Sequence, residues 1–236
     1  MRECTRLDVE QWWRDVFDVR AELWSTLTVL HPHALLDDYE GWYVAWRGNG
    51  VHISAPSTAA DDEVAALNSR PAPSLQTAEF WQAFADRRDL ELVGPSTHFY
   101  LDVDPGPSSA LVRLGADDLR RLEALVTPQE WSEGGMAHVP PIAFGIVENG
   151  LTVATAGLHD WRGVPSDLGV VVAPSHRGRG LGAVVAGHAA SYAVRAQGIA
   201  RWRAATANVA STRTAQRLGF EPYATQLAVR RGSSAA

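Results

Sequence analysis

Arg177, Gly178, Arg179, Gly180 and Gly182 lie together just after a β-branched run, Val170-Val171-Val172, that meets Pro174. That grouping suits one kind of chemistry, the binding of a phosphate. Glycines at alternate positions remove side chains where backbone N–H groups must come close to an anion. A helix starting there adds unpaired first-turn amides and the positive end of its dipole, the latter worth about 0.3–1 kcal/mol. The two arginines add positive charge. Pro174 has no N–H for a ladder, so the valine run, read as a buried strand, ends there. The helix predicted over Leu181 to Gln197 has no Ser, Asp or Asn at its N-cap position, which leaves its first amides, through Ala183, for a ligand oxygen.

Gly178-Arg-Gly-Leu-Gly-Ala183 also fits G-x-G-x-x-A, the turn of dinucleotide-binding folds. The strand predicted at Arg201 to Ala205, however, ends in no Asp or Glu to hold a ribose. Ser175, His176 and Arg177 separate Pro174 from the first glycine, where that turn is tight, and residues 184–236 are too few for the rest of a doubly wound sheet. A P-loop fails because no Lys-Ser/Thr pair follows the glycines.

The elements that must position this loop can be read along the chain. Asp8-Val-Glu-Gln11 resembles a capping box opening a helix to about Ser25, which His31-Pro-His33 breaks. Gly41 to Arg47 and Val51 to Ala55 read as a hairpin turning at Gly48-Asn-Gly50. Helices are expected at Asp61 to Asn68 and Thr77 to Arg88, then two short strands, Leu90 to Val93 and His98 to Val103, split by Gly94-Pro95. Asp104-Pro-Gly-Pro-Ser-Ser109 cannot continue either kind of element and is read as a linker, dividing an α/β domain over 1–106 from a second over 107–236. The second half reads strand (Ala110 to Leu114), helices (Asp117 to Val126, Pro128 to Gly134), strand (Ile142 to Glu148), a turn at Asn149-Gly150 and strand (Leu151 to Leu158). The loop with its strand and helix follows, then a strand (Arg201 to Ala205), a helix (Asn208 to Leu218), a hairpin around Tyr223 to Val229 and a frayed tail from Gly232 to Ala236. This is an α+β layout with a mixed sheet.

Composition narrows the partners. The net charge of −6 points to neither nucleic acid nor an anionic membrane, yet ten arginines stand against Asp167 and Glu221 from Trp161 onward, an asymmetry that suits a small polyanion. A single cysteine, Cys4, excludes an intramolecular disulfide and a multi-cysteine metal site. No apolar h-region or run of eighteen apolar residues is present, so a cytoplasmic protein without membrane spans is expected, as a monomer or a homodimer.

Arg177-x-x-Gly180-x-Gly182 after a strand ending Val172-Ala-Pro174 resembles the acyl-CoA signature of the GCN5-related N-acetyltransferase (GNAT) superfamily. Asn208-x-x-Ser211, opening a helix that ends Leu218-Gly-Phe220, resembles its second cofactor motif. The order of elements from Ala110 to Arg231 is similar to that fold. The resemblance implies a GNAT acyl-CoA N-acyltransferase fold, with acetyl-CoA as cosubstrate, no metal, and a small-molecule or peptide amine as acceptor. It implies pantetheine along Val170, Val171 and Val172, pyrophosphate on the amides of Arg177 through Ala183 (Gly178, Arg179, Gly180, Leu181 and Gly182 between), and Asn208 and Ser211 near the pantetheine arm. The N-terminal half resembles a degenerate copy of the fold; having no glycine loop, it is expected to bind no CoA and to cover the acceptor cleft with Trp42, Tyr43, Trp46 and Tyr100.

Acyl transfer to an amine needs a neutral amine, a polarised carbonyl and a proton for the thiolate. A backbone N–H near Val171 or Val172 can polarise the carbonyl. The glutamate and tyrosine that family members often carry correspond here to Ser166 and Ala215. Candidates to replace them are Glu133, beside a Gly134-Gly135 pair suited to a mobile lid, His159 with Asp160 at a strand end, and Tyr223; Asp167 is offset by one residue from the glutamate position, which reverses its face unless a bulge intervenes. A non-catalytic acyl-CoA-binding sensor is the alternative.

Overall fold

A computed structural model describes residues 1–20, 22–24, 29–32, 40–106 and 111–232. His33, residues 107–109 of the expected linker, Ala110 and the tail beyond Gly232 lie outside the described residues. In chain order the elements are α1 (Glu3–Phe17), β1 (Val29–Pro32), β2 (Gly41–Arg47), β3 (Gly50–Ala55), α2 (Asp61–Asn68), α3 (Ala72–Leu75), α4 (Ala78–Asp86), β4 (Glu91–Leu101), β5 (Val112–Arg113), α5 (Ala116–Glu123), α6 (Pro128–Glu133), β6 (Ile142–Glu148), β7 (Leu151–Trp161), β8 (Val164–Val172), α7 (Leu181–Gln197), β9 (Ala200–Ala205), α8 (Val209–Arg217) and β10 (Glu221–Arg230). They fall into two compact units, one of residues 1–5, 99–204 and 208–222, the other of residues 6–98, 205–207 and 223–236.

The second of these units holds the hairpin β2–β3, with β1 parallel to β3 and β10 antiparallel to β2 from Thr225↔Trp46 to Arg230↔Gly41. Its core joins Trp42, Val44, Ile53, Leu227 and Val229 of the strands to Leu67, Leu75, Trp81 and Phe84 of α2 to α4. Two expectations change here. Glu221–Arg230 is one strand rather than a hairpin. β4 runs without a break through Gly94-Pro95, because the Pro95 carbonyl, which needs no N–H of its own, accepts from the Thr206 amide at 2.9 Å. The aromatic residues expected to line a cleft include core members: Trp42 is 3% exposed and Tyr100 fully buried.

Helix α1 begins before the expected capping box and stops before Ser25. The Asp102 carboxylate accepts from the Arg2 amide at 2.5 Å, a distant partner that local pattern cannot reveal, and Asp18, at φ 51°, ends the helix.

In the first unit the strands run in the order β4-β9-β8-β7-β6-β5. One face packs Ala154, Ala156, Leu158, Leu168 and Trp202 against α7 and α8. The buried side of α7 is mostly alanine, from Ala186 to Ala193, so the helix lies close to the sheet. The other face packs Ala143, Val171 and Ala173 against Leu119 and Leu122 of α5 and Trp131 of α6. β6, β7 and β8 form an antiparallel meander whose two-residue turns, Asn149-Gly150 and Arg162-Gly163, all take positive φ, as the twist of a tight hairpin requires.

Where α6 ends, its chain touches β8. A Cβ on Gly169 would lie 2.5 Å from the Gly134 carbonyl oxygen, and one on Gly134 would lie 2.9 Å from the Val170 carbonyl oxygen. Backbone therefore meets backbone here, and Gly134-Gly135, expected as a lid hinge, is a packing contact instead. Gly169→Ala should destabilise the protein by about 1–3 kcal/mol. In urea unfolding, Gly182→Ala is the control: its Cβ would meet Val172 at an ordinary 3.5 Å, and no loss of stability is expected.

Candidate functional site

β8 and β9 pair in parallel for only two residues, Asp167↔Arg201 and Leu168↔Trp202. Beyond Leu168 the two strands fork. The Ala173 amide bonds back to Val153 on β7 at 2.9 Å, and strand residues alternate in the direction of their backbone groups. Val170 and Val172 therefore turn their N–H and C=O groups into the fork. Of the two amides expected near the carbonyl, Val172's turns into the fork and Val171's toward β7, with the Val171 side chain buried against α5 and α6.

At the end of the fork Pro174–His176 forms a single 3-10 turn, followed by Gly178 and Gly180 at φ 77° and 78°. Gly180 is the N-cap of α7 and has no side chain to cap it. The Arg177 amide bonds to the Pro174 carbonyl at 3.3 Å and the Ala183 amide to the Gly180 carbonyl at 3.1 Å. Of the amides expected to form a cradle from Arg177 to Ala183, the first and the last are thus bonded within the chain. Arg177 contributes its side chain: Nε donates to the Val172 carbonyl at 3.2 Å and Nη2 pairs with Glu130 at 2.7 Å. Arg179 makes a two-pronged pair with Glu148 at 2.8 and 3.1 Å. The Thr127 amide and then Arg177 hold the Glu130 carboxyl below its usual range, and Arg179 does the same for Glu148. These pairs are exposed and screened by solvent, so they hold the arginines only weakly.

Asn208 caps α8, its Oδ1 accepting from the Ser211 amide at 2.9 Å, and Ser211 Oγ accepts from the Trp202 indole at 3.0 Å. Both polar side chains therefore have structural work beside the fork.

On the α5/α6 face, His159 of β7 stands opposite Asp167 of β8. The register shifts beside them, leaving Ser166 as the extra residue of a bulge, so the offset that counted against Asp167 is absorbed. Asp167 is 7% exposed; its Oδ2 meets Arg203 Nη2 at 3.0 Å and Arg201 Nη1 at 3.6 Å, while its buried Oδ1 makes no hydrogen bond. Burial lowers the His159 pKa most; Asp167 opposes this, Arg203 adds to it, and a hydrogen bond to the Gly135 backbone opposes it again. That bond leaves Nε2, which has no partner, as the lone-pair nitrogen of the neutral ring.

Glu133 is exposed and accepts from Gln129 at 2.7 Å. Tyr223 belongs to the second compact unit, where it stacks on Trp13, accepts from the Trp24 indole at 3.1 Å and has Arg47 over its ring; burial is the main cause of a pKa pushed up to about 12. Asp160 is exposed. Ser166 and Ala215, which stand where the usual glutamate and tyrosine would be, are fully buried. Among the described residues no group of three or more His, Cys, Asp or Glu is arranged to hold a metal, and no helix is long and apolar enough to cross a membrane.

The acetyltransferase (GNAT) family model matches residues 116–220, which take in α5 through the end of α8. The chain carries a GNAT-family domain built on the forked strands and the glycine loop. A GCN5-related N-acetyltransferase-like protein from Streptococcus suis shares the fold at TM-score 0.50 and 12% identity, over 96% of this chain and 99% of that one. A Drosophila protein does so at TM-score 0.51 and 14% identity, over 86% and 77%. A GNAT-family acetyltransferase from Novosphingobium aromaticivorans matches at TM-score 0.48 and 22% identity, over 61% and 68%. The chain spans 61% and 65% of two further GNAT structures. Among curated proteins no sequence matches.

His159 and the fully buried His52, whose pKa burial also lowers, are predicted to make the fold acid-sensitive. Their folded pKa values lie below 6.5, so the unfolded chain takes up protons first. Their contribution is complete above about pH 6.5 and is lost as pH falls through the folded values. Urea midpoints should be flat near neutrality and decline below it, with a shallower decline in His159→Gln.

Proposed function

We propose that the protein is an acyl-CoA-dependent N-acyltransferase that passes an acetyl group to an amine by direct attack within a ternary complex. The observation carrying this reading is the fork, where Val170 and Val172 turn their backbone groups away from β7 and run directly into the Gly178–Gly182 segment, the Val172 carbonyl already bonded by Arg177. A pantetheine amide chain can complete the first and a pyrophosphate the second. Bound acetyl-CoA supplies a thioester carbonyl as the electrophile. The chain's own part is to polarise that carbonyl with a backbone N–H at Val170 or Val172 and to take the amine's proton as the C–N bond forms and the C–S bond breaks.

For the proton we take His159 Nε2, a buried atom that a local opening must uncover before water can reach it. The bond to Gly135 fixes its tautomer, and a lowered pKa keeps it unprotonated near neutrality. Asp167 lies about 10 Å along β8 from Val170, three residues of strand, so the proton reaches His159 through water rather than directly.

The N-terminal unit is read as binding no CoA. The helix that follows its β3 strand opens with Asp61, Asp62 and Glu63, three carboxylates where a phosphate would have to sit. A sensor that binds acyl-CoA without turnover is the second reading, favoured by the buried, inert Ser166 and Ala215.

Calorimetry with CoA, followed by thiol release from acetyl-CoA over a panel of amines, separates the two. Binding and release are expected together, and binding without release from any amine favours the sensor. His159→Gln should lower kcat by about 100-fold or more with acetyl-CoA affinity unchanged, whereas Glu133→Gln should leave kcat as it is. Wild-type turnover in His159→Gln removes the histidine from the mechanism.

A further inference from the structure

On the α5/α6 face, the prong of the fork opposite β8 carries Arg203. In the parallel register set by Asp167↔Arg201, Arg203 stands level with Gly169, one residue short of Val170, at the mouth of the fork. Its side chain points to the same face as Asp167, which it touches, and is 53% exposed. Among the described residues its one hydrogen bond runs from Nη2 to Asp167 Oδ2, and more than half of the side chain is exposed. Asp167 itself is shared with the buried Arg201. The guanidinium groups of Arg201 and Arg203 thus converge on one carboxylate, and the half-exposed one, Arg203, brings positive charge to the place where an amine must approach.

A positively charged mouth is a poor place for a simple amine, which arrives as a cation. It favours an amine that brings its own anion. We infer that Arg203 anchors the acceptor and that the acceptor is an amino acid or a short peptide bearing a free carboxylate. Arginine's planar donors match a carboxylate in a two-pronged pair, stronger and more directional than the one-point contact Arg203 now makes. Asp167 then acts as a positioning residue, holding Arg203 by one edge and leaving the other edge for the ligand. Gly169, level with Arg203, is covered on this face by the backbone of Gly134 and Gly135, so a ligand meets Arg203 on its solvent-exposed side.

The inference rests on the transferase reading, and its test keeps the two separate. Leucine, phenylalanine and the dipeptide Gly-Phe are each compared with their C-terminal amides, first by calorimetric binding to the enzyme–CoA complex and then by thiol release from acetyl-CoA. The amides have the less basic amines and so offer more free base near neutrality, which makes any preference for the acids a matter of recognition. The acids are expected to bind about tenfold or more tightly than the amides, the worth of one charge-assisted pair. Arg203→Ala should abolish that difference with CoA affinity unchanged, and Arg203→Lys should keep part of it. CoA binding with equal affinity for acids and amides, or a preference that survives in Arg203→Ala, overturns the acceptor class and leaves the transferase reading standing. Failure to bind CoA removes both.

Discussion

The parting of β8 from β9 after Leu168 is the constraint on which the rest of the domain depends. A buried strand that loses its neighbour leaves backbone donors and acceptors unpaired, and each such group costs free energy unless something completes it. On its other side β8 keeps its full ladder with β7, down to the Ala173–Val153 bond that closes it. The strand is thus rigid along one edge and open along the other. The open edge exposes alternate residues only, Val170 and Val172, and the Arg177 guanidinium already bonds the Val172 carbonyl. The glycine loop and the open edge of β8 are therefore two ends of one continuous segment.

The opposite face of β8 is fixed by a lack of side chains. Gly134, Gly135 and Gly169 let the end of α6 press backbone against backbone, and this contact brings the Gly135 carbonyl within reach of the His159 ring. Trp131, 8% exposed, holds α6 down from within the same helix, and a capping box at Thr127 and Glu130 starts it. Glu130 has two tasks, since one oxygen caps α6 while the other pairs with Arg177 of the loop. The helix over the acceptor side and the loop at the cosubstrate side are joined through that one carboxylate.

What could be read from the sequence was whatever is local. Gly178 and Gly180 at positive φ, the Asn149-Gly150 turn, the Asn208 cap and the Pro174 stop are each decided by residues within a few positions, and each pattern pointed to the geometry found. What could not be read depends on partners far along the chain. Nothing near Arg2 announces Asp102, nothing near Pro95 announces Thr206, and Gly134-Gly135 looks like a hinge until Gly169 is seen opposite it. The site divides in the same way. The loop was legible, whereas the pairing of His159 with Asp167 was hidden by a bulge at Ser166 that reverses the face of everything before it.

That bulge also bears on why the domain can do without a glutamate at Ser166. A carboxylate on Ser166 would sit at a position with no exposure at all and no cation recorded against it. One residue on, the carboxylate of Asp167 meets two arginines and faces an imidazole. Held between the two guanidinium groups, the Asp167 carboxylate lies close enough to offset part of the cost of burying a protonated His159. Imidazole and charge are thus carried by two residues on neighbouring strands. Under the transferase reading proposed above, the imidazole gains from the split, because a histidine kept neutral by burial could accept the amine's proton near neutrality and be stabilised by Asp167 once it is charged.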